Sequence, residues 1–293
     1  MRAVCKRELH ALMRSLRGWG YAAIVLLCAG AAVLMNHLRT GSVHLESSIH
    51  YIALAMIPAA AMASADAFHA ERRQNTERLL FSLPLKNGQI VLGKLAALCV
   101  PVLIAGIGLC AFPLMLLPFG EVPLKAVFAC IGVLTALGIA MMSVGLFVSS
   151  CTKNAFLSVL ATMAALVLSW FAPMIAALIE SVFSVNLGLV IALMIAVFAL
   201  SYALSRNGVI AVAVTALVEV PVLYLYLSGS GHMVMNALTD GIRSLSLFDG
   251  LSAYSIGLMD ARLIAGALVT AALFAVFTVL SVANRRGAKR RAL

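Results

Sequence analysis

Charge is what this sequence has least of. Of its 293 residues 21 are Lys or Arg and only 11 are Asp or Glu, so 11% are charged while 63% are hydrophobic. A soluble globule needs about 25% charged residues to cover its surface, which excludes that class and leaves an integral membrane protein. Cysteine is sparse and unpatterned: Cys5, Cys28, Cys99, Cys110, Cys130 and Cys151 form no CxxC spacing that would point to redox or zinc chemistry. None falls where an outer-loop disulfide is expected, so small apolar packing residues are their expected use. Hydrolase signatures are missing as well, with no H-E-x-x-H and no G-x-S-x-G. The nearest approach to a nucleotide motif is GQIVLGK at Gly88–Lys94. Leu95 stands there where a Ser or Thr hydroxyl must hold magnesium, and the context is an apolar run, so ATP binding by this chain is excluded. His37, His44, His50 and Glu46 gather in one stretch, but their irregular spacing fits an interfacial loop better than a metal site.

Long apolar runs take the place of the missing charge. Runs near or above the roughly 20 residues a span requires fall at 19–36, 51–68, 89–117, 124–149, 156–179, 185–205, 208–228 and 263–283. The expected fold is an all-α integral membrane protein with about eight transmembrane helices, one permease domain over 1–293. With the N-terminus in the cytosol, 17 of the 21 basic residues face inward and only Arg39, Lys125, Arg243 and Arg262 lie outside, as the positive-inside rule demands. Both termini are therefore expected in the cytosol. The net charge of +10 reads as an inner collar facing anionic membrane lipid, with no need for nucleic acid. The basic then apolar opening resembles a signal peptide, yet its apolar part is long and no A-x-A site follows. A retained first span is expected. Ahead of it, residues 1–17 carry Val4, Cys5, Leu9, Leu12, Met13 and Leu16 on one helical face and Lys6, Arg7, His10, Arg14 and Arg17 opposite, an amphipathic interfacial helix.

One extended polar stretch interrupts the runs, DAFHAERRQNTERLLFSLPLKNGQIVLGK from Asp66 to Lys94. It reads as a helix over 67–81 bearing Glu71, Arg72, Arg73, Glu77 and Arg78, with Arg73 and Glu77 placed for an i,i+4 pair. Pro84 ends it, a turn follows at Lys86–Gly88, and an apolar helix restarts near Gln89. The charge run alone is as well explained by a solvated surface helix. Asp66 reads as a solvated group at a span end.

This stretch resembles the loop after the second span in permease subunits of ABC transporters of the ABC-2 type, in particular the gliding-motility-like branch. Glu71, Arg73, Thr76, Leu79, Leu80, Pro84 and then Leu92, Gly93 and Lys94 match that family's pattern, while Asn75 replaces its Gly and Arg78 its Glu. Lys6, Arg7 and Glu8 are similar to its cytosolic N-terminal helix, GLFVSSCTKNAF at Gly145–Phe156 to its turn between the fourth and fifth spans, and the stretch from Arg243 to the final NRR to its last segment. Residues 185–229 fall outside the likeness. The resemblance implies a permease subunit that exports an unidentified substrate by alternating access, paired with a second permease chain in a bacterial inner membrane. It also implies that ATP is bound and hydrolysed by a separate ATP-binding subunit, so this chain needs no cofactor and is no enzyme. The loop 67–88 is then a cytosolic coupling helix in which Glu71, Arg72, Arg73, Thr76, Glu77, Leu79, Leu80 and Phe81 meet the ATPase. The segment 229–262 is implied to form short outer helices dipping back into the membrane.

Two further features bear on the alternatives. Glu219 lies mid-span, two residues before Pro221, and an ionisable group at that depth suggests function. A stand-alone secondary transporter or channel would use it as a proton-coupled carboxylate; a polar contact across the bundle is the other reading. Glu180 lies near a span end, where a solvated interface suffices. Gly132, Ala136 and Ala140 repeat every fourth residue, a small-residue stripe for close helix approach.

Overall fold

The computed structural model describes residues 2–40, 48–73, 87–116, 123–183, 195, 231–255 and 261–291. Among these every regular element is helical: α1 Arg2–Arg14, α2 Leu16–Thr40, α3 Ile49–Ala65, α4 His69–Arg73, α5 Asn87–Leu109, α6 Ala111–Leu116, α7 Leu124–Cys151, α8 Ala155–Phe183, α9 Gly231–Ser244, α10 Leu251–Ser255 and α11 Ala261–Arg291. Among the described residues six stretches are long and apolar enough to cross a bilayer, at Gly18–Asn36, Ile49–Arg73, Asn87–Met115, Leu124–Cys151, Ala155–Glu180 and Ala261–Arg286. They coincide with six of the eight expected spans. The runs at 185–205 and 208–228, Glu219 among them, lie outside the described residues.

Local chemistry accounts for the breaks. Pro113 has no N–H to give the carbonyl four residues earlier, and the helix of the third span is interrupted at Cys110 between α5 and α6. Between α7 and α8 the chain turns at Thr152, whose N–H and hydroxyl both donate to the Val148 carbonyl at 3.0 Å. Asn154 then starts α8, its Oδ1 accepting the Phe156 N–H at 3.1 Å, as an N-cap side chain does for the second helical N–H. Pro58, Pro101 and Pro173 lie inside α3, α5 and α8, where neighbouring helices make such breaks tolerable in a membrane.

The chain divides into two compact units. In the larger, residues 1–168 and 247–293, α7 is the central helix, packed by α3, α5 and α11. Leu134, Leu137, Met141, Met142 and Leu146 are fully buried there. Leu27 and Leu34 on α2, Leu157 and Leu160 on α8, and Val276 and Leu280 on α11 are exposed, the pattern of helices whose outer faces meet lipid. In the smaller unit, residues 169–246, the Ser246 hydroxyl donates to the Ser169 carbonyl at 2.8 Å. There Arg243 pairs with Glu180 at 3.0 Å, so Glu180 is half exposed and partnered. Within the expected outer segment the described residues form the short helices α9 and α10.

Lipid is as apolar as the interior, so close packing and polar contacts drive helix association in a membrane. Two glycines of α7 provide the closeness. A Cβ on Gly145 would sit 1.8 Å from Ser64 Oγ and 2.6 Å from Ser64 Cβ of α3, and one on Gly138 would lie 2.7 Å from Val102 Cγ1 and 2.9 Å from both Met56 Cε and the Tyr21 hydroxyl. The Gly132 end of the expected stripe differs: a Cβ there meets no described atom within 4 Å, although Ala136 and Ala140 are buried. Gly145→Ala should therefore destabilise the detergent-solubilised protein by about 1–3 kcal/mol in thermal unfolding, the range for overpacking, and Ser64→Gly in the same chain should restore part of the loss. Gly132→Ala should change the melting temperature little; equal effects at the two glycines would refute the crossing.

Candidate functional site

The polar stretch begins inside the bundle. The helix expected over 67–81 is not continuous from Ala67: α3 ends at Ala65, residues 66–68 turn, and α4 resumes at His69. The turn keeps the chain against its neighbours, so His69 and Glu71 are buried and Asp66, read from sequence as solvated, is buried too. Asp66 pairs with Arg73 at 3.3 Å. Thr76, Glu77, Leu79, Leu80 and Phe81 lie outside the described residues.

Lys94 of α5 organises the site. Its side chain is 1% exposed, about 10 Å along α5 from the helix start at 1.5 Å per residue. A buried ammonium is tolerable only when its three protons find acceptors, and Lys94 Nζ has the Ala67 carbonyl at 2.7 Å, Glu71 Oε1 at 3.0 Å and Glu8 Oε1 at 3.3 Å. The Phe68 ring lies 5.0 Å away, within cation–π range. Arg7 Nη2 closes the figure, 2.8 Å from Glu8 Oε1 and 2.6 Å from Glu71 Oε1. Charges alternate around a ring, Arg7, Glu8, Lys94, Glu71, with two of each sign and no net charge. Burial alone would push the Glu8 carboxyl up, but Lys94 first and Arg7 after it outweigh burial, so Glu8 titrates below the ordinary carboxylate value. The hydrogen bond with Glu8 leads the causes that raise Arg7 above its usual value.

A second set of bonds ties the same segment to α7. Ser149 Oγ donates to the Ala65 carbonyl at 2.7 Å and accepts the Phe68 N–H at 3.3 Å, covering the exposed carbonyl end of α3. His69 Nδ1 lies 2.8 Å from that same carbonyl. Arg72 reaches the carbonyls of Ser150, at 3.1 Å, and Thr152, the end of α7 where helix carbonyls lack partners and a cation is favoured. At this end of the larger unit Arg286 of α11 donates to Asn87 Oδ1 at 3.0 Å.

Of the expected coupling residues, then, Glu71 and Arg72 face inward and bind the bundle, whereas the Arg73 side chain is 68% exposed. Sequence reasoning gave no site role to Lys94, Glu8 or Arg7. Two signals were present: a lone lysine two turns inside an apolar run needs an anion, and Glu8 is the one acidic residue in the first 45. Of the first-loop group, His44 and Glu46 lie outside the described residues, and among the described residues no cluster of three or more His, Cys, Asp or Glu could hold a metal.

Lys94→Met should lower stability by about 3–5 kcal/mol, the cost of leaving a buried charge without its partner, because Glu8 and Glu71 then face each other across Arg7 alone. Adding Glu71→Gln should recover part of that loss, since the variant removes the orphaned carboxylate; a double mutant as unstable as the sum of the singles would refute the ring. The low titration of Glu8, faced by Arg7, Glu71 and Lys94, sets a pH dependence. A carboxyl depressed on folding contributes stability that is present above its unfolded value and lost as pH falls through its folded value. The Glu8 contribution should vanish on the acid side of pH 4.5, the ordinary value, and thermal unfolding of Glu8→Gln should lack that decline.

Comparison with known proteins adds the lineage. No curated protein and no solved structure matches the chain. A family model described as an ABC-2 family transporter protein matches residues 21–209, which takes in α2 to α8, the root of the polar stretch and Lys94, and extends into the 185–229 stretch that the sequence likeness had left out. With six helices among the described residues able to span a bilayer, the match makes this a multi-pass membrane protein, and the chain belongs to the ABC-2 transporter family as one of its membrane-spanning permeases.

Proposed function

We propose that this permease is the membrane subunit of an ATP-driven exporter in a bacterial cytoplasmic membrane, working with a second permease chain and a separate ATP-binding subunit. The charge balance favours a cytosolic N-terminus, since Lys6, Arg7, His10 and Arg14 are exposed on α1 beside the end of the bundle that carries the ring, and basic residues collect on the cytosolic face.

The observation that carries the proposal is how the polar loop is rooted. The chain enters the loop from α4, and α4 is fixed by Glu71 to α1 and α5 and by Arg72 to the end of α7. Interfaces held by buried, paired charges do not slide cheaply, because opening one leaves an uncompensated charge out of water. A push on the loop by a closing ATPase is therefore delivered to three helices at once. In this mechanism Glu71 and Arg72 transmit the push, Arg73 belongs to the polar rim with Thr76 and Glu77, and Leu79, Leu80 and Phe81 are the apolar anchors that a docking element needs inside such a rim. This chain performs no bond chemistry; ATP is bound and cleaved on the partner.

The test is co-expression with the ATP-binding subunit, reading ATP hydrolysis stimulated by the permease and co-purification in detergent. Truncating a central aromatic anchor costs about 2 kcal/mol or more, so Leu80→Ala with Phe81→Ala should sharply reduce both readouts. Arg73→Ala, the loss of an exposed charge, should cost under about 1 kcal/mol and leave both near wild type. Wild-type stimulation and co-purification in the double mutant would overturn the docking role.

A further inference from the structure

We propose that the larger unit holds an anionic phospholipid in a crevice between α7 and α11. Phe147, Cys151, Phe277, Ser281, Asn284 and Arg285 line an open space of about 600 Å³. The two helices run in the same direction, since Phe147 meets Phe277 with ring centroids 6.0 Å apart and the Ser150 hydroxyl meets that of Ser281 at 3.0 Å. The crevice is graded along this direction. Phe147 and Phe277, 6.0 Å apart and each packed against the Phe274 ring at 5.7 to 6.0 Å in tilted or edge-on contact, make an aromatic wall at one end of it. Asn284 and Arg285 stand at its mouth, about 12 Å further along α11 at 1.5 Å per residue, next to the end of the span at Arg286.

That gradient fits one molecule of a particular kind, with an acyl chain on the phenylalanines and a phosphate at Arg285. A second protein helix would not need a cation at one end, and a free phosphate would not need the aromatic wall. The end of α7 would ordinarily repel an anion with its partial negative charge, but Arg72 already occupies the Ser150 and Thr152 carbonyls. Lys153, two residues beyond Cys151, is exposed and adds cationic character to that terminus. Arg286 is engaged with Asn87, which leaves Arg285 as the arginine lining the crevice. The site requires only that the chain spans a bilayer, and it stands apart from the ATPase coupling proposed above.

Cys151 is exposed in the crevice and reports on its occupancy. In a variant retaining Cys151 as its sole cysteine, reaction with a neutral maleimide is timed in nanodiscs of phosphatidylcholine alone and of phosphatidylcholine mixed with phosphatidylglycerol. Phosphatidylglycerol should protect the thiol, and Arg285→Gln should weaken that protection about fivefold, the share one basic side chain contributes at an anionic surface. Lys289→Gln, which changes charge on the same helix beyond the crevice, should leave protection intact, and the melting temperature of each variant verifies folding. Equal rates in the two lipids would overturn the site. So would protection that survives Arg285→Gln, which assigns it to bulk surface charge, or protection that tracks the number of chains per disc, which assigns it to a second copy.

Discussion

An ammonium group removed from water must be surrounded by acceptors, and satisfying Lys94 shapes the end of the bundle where the polar loop begins. Three of the surrounding elements make sense only in relation to it. The turn at residues 66–68 presents the Ala67 carbonyl, α4 presents Glu71, and α1 is drawn against α5 so that Glu8 can complete the set. A second cation is then required, because two carboxylates around one ammonium would leave a net negative charge among helices. Arg7 supplies it from the rim, with about half its side chain in solvent. Four hydrophobic side chains of similar volume would hold the helices as well or better. What the charges add is specificity of position: a one-turn slip of α5 in either direction would set Ile90 or Leu98 where Lys94 stands and leave both carboxylates without their ammonium.

The bonds to α7 extend the same logic to the centre of the unit. Ser149 and Arg72 serve opposite partners at one crossing, the first covering the carbonyl end of α3 and the second the carbonyl end of α7. The end of α3 is thus capped by a side chain of α7, and the end of α7 by one from α4, the helix that follows α3. Further along the same helix pair, Gly145 lets Ser64 approach so closely that no side chain intervenes. α3 and α7 are in this way held at two heights, by sterics within the span and by polar groups at its end.

Much of this architecture was legible in the residues, and what was not has a physical reason. The six described spans follow from runs of apolar residues, because exclusion from lipid penalises every uncovered polar group and leaves little freedom in where a span falls. Pairings were harder to read. Lys94 looks like any lysine near a membrane face until its partners are known, and those stand 86 and 23 residues away in Glu8 and Glu71. Reading the charge run from Glu71 as a solvated face failed at its start, since α3 continues by a turn into α4 and carries the first charges inside. The small-residue stripe was read at a spacing of four from Gly132, whereas the close crossings use Gly138 and Gly145, seven apart. Both spacings mark one face of a helix, and only the neighbours decide which face is crowded.

The central position of α7 also governs the order in which the fold can be completed. Its partners α3 and α5 precede it in the chain, but α11, which packs on it through the Phe147 contacts and the Ser150 to Ser281 bond, is synthesised well after it. Until then α7 must wait in the bilayer with a serine and an aromatic ring turned to lipid or to transient partners. Pairing of α7 with α11 is thus a long-range event that closes a loop of some 130 residues of chain, and such contacts form only after the entropy of that closure has been met.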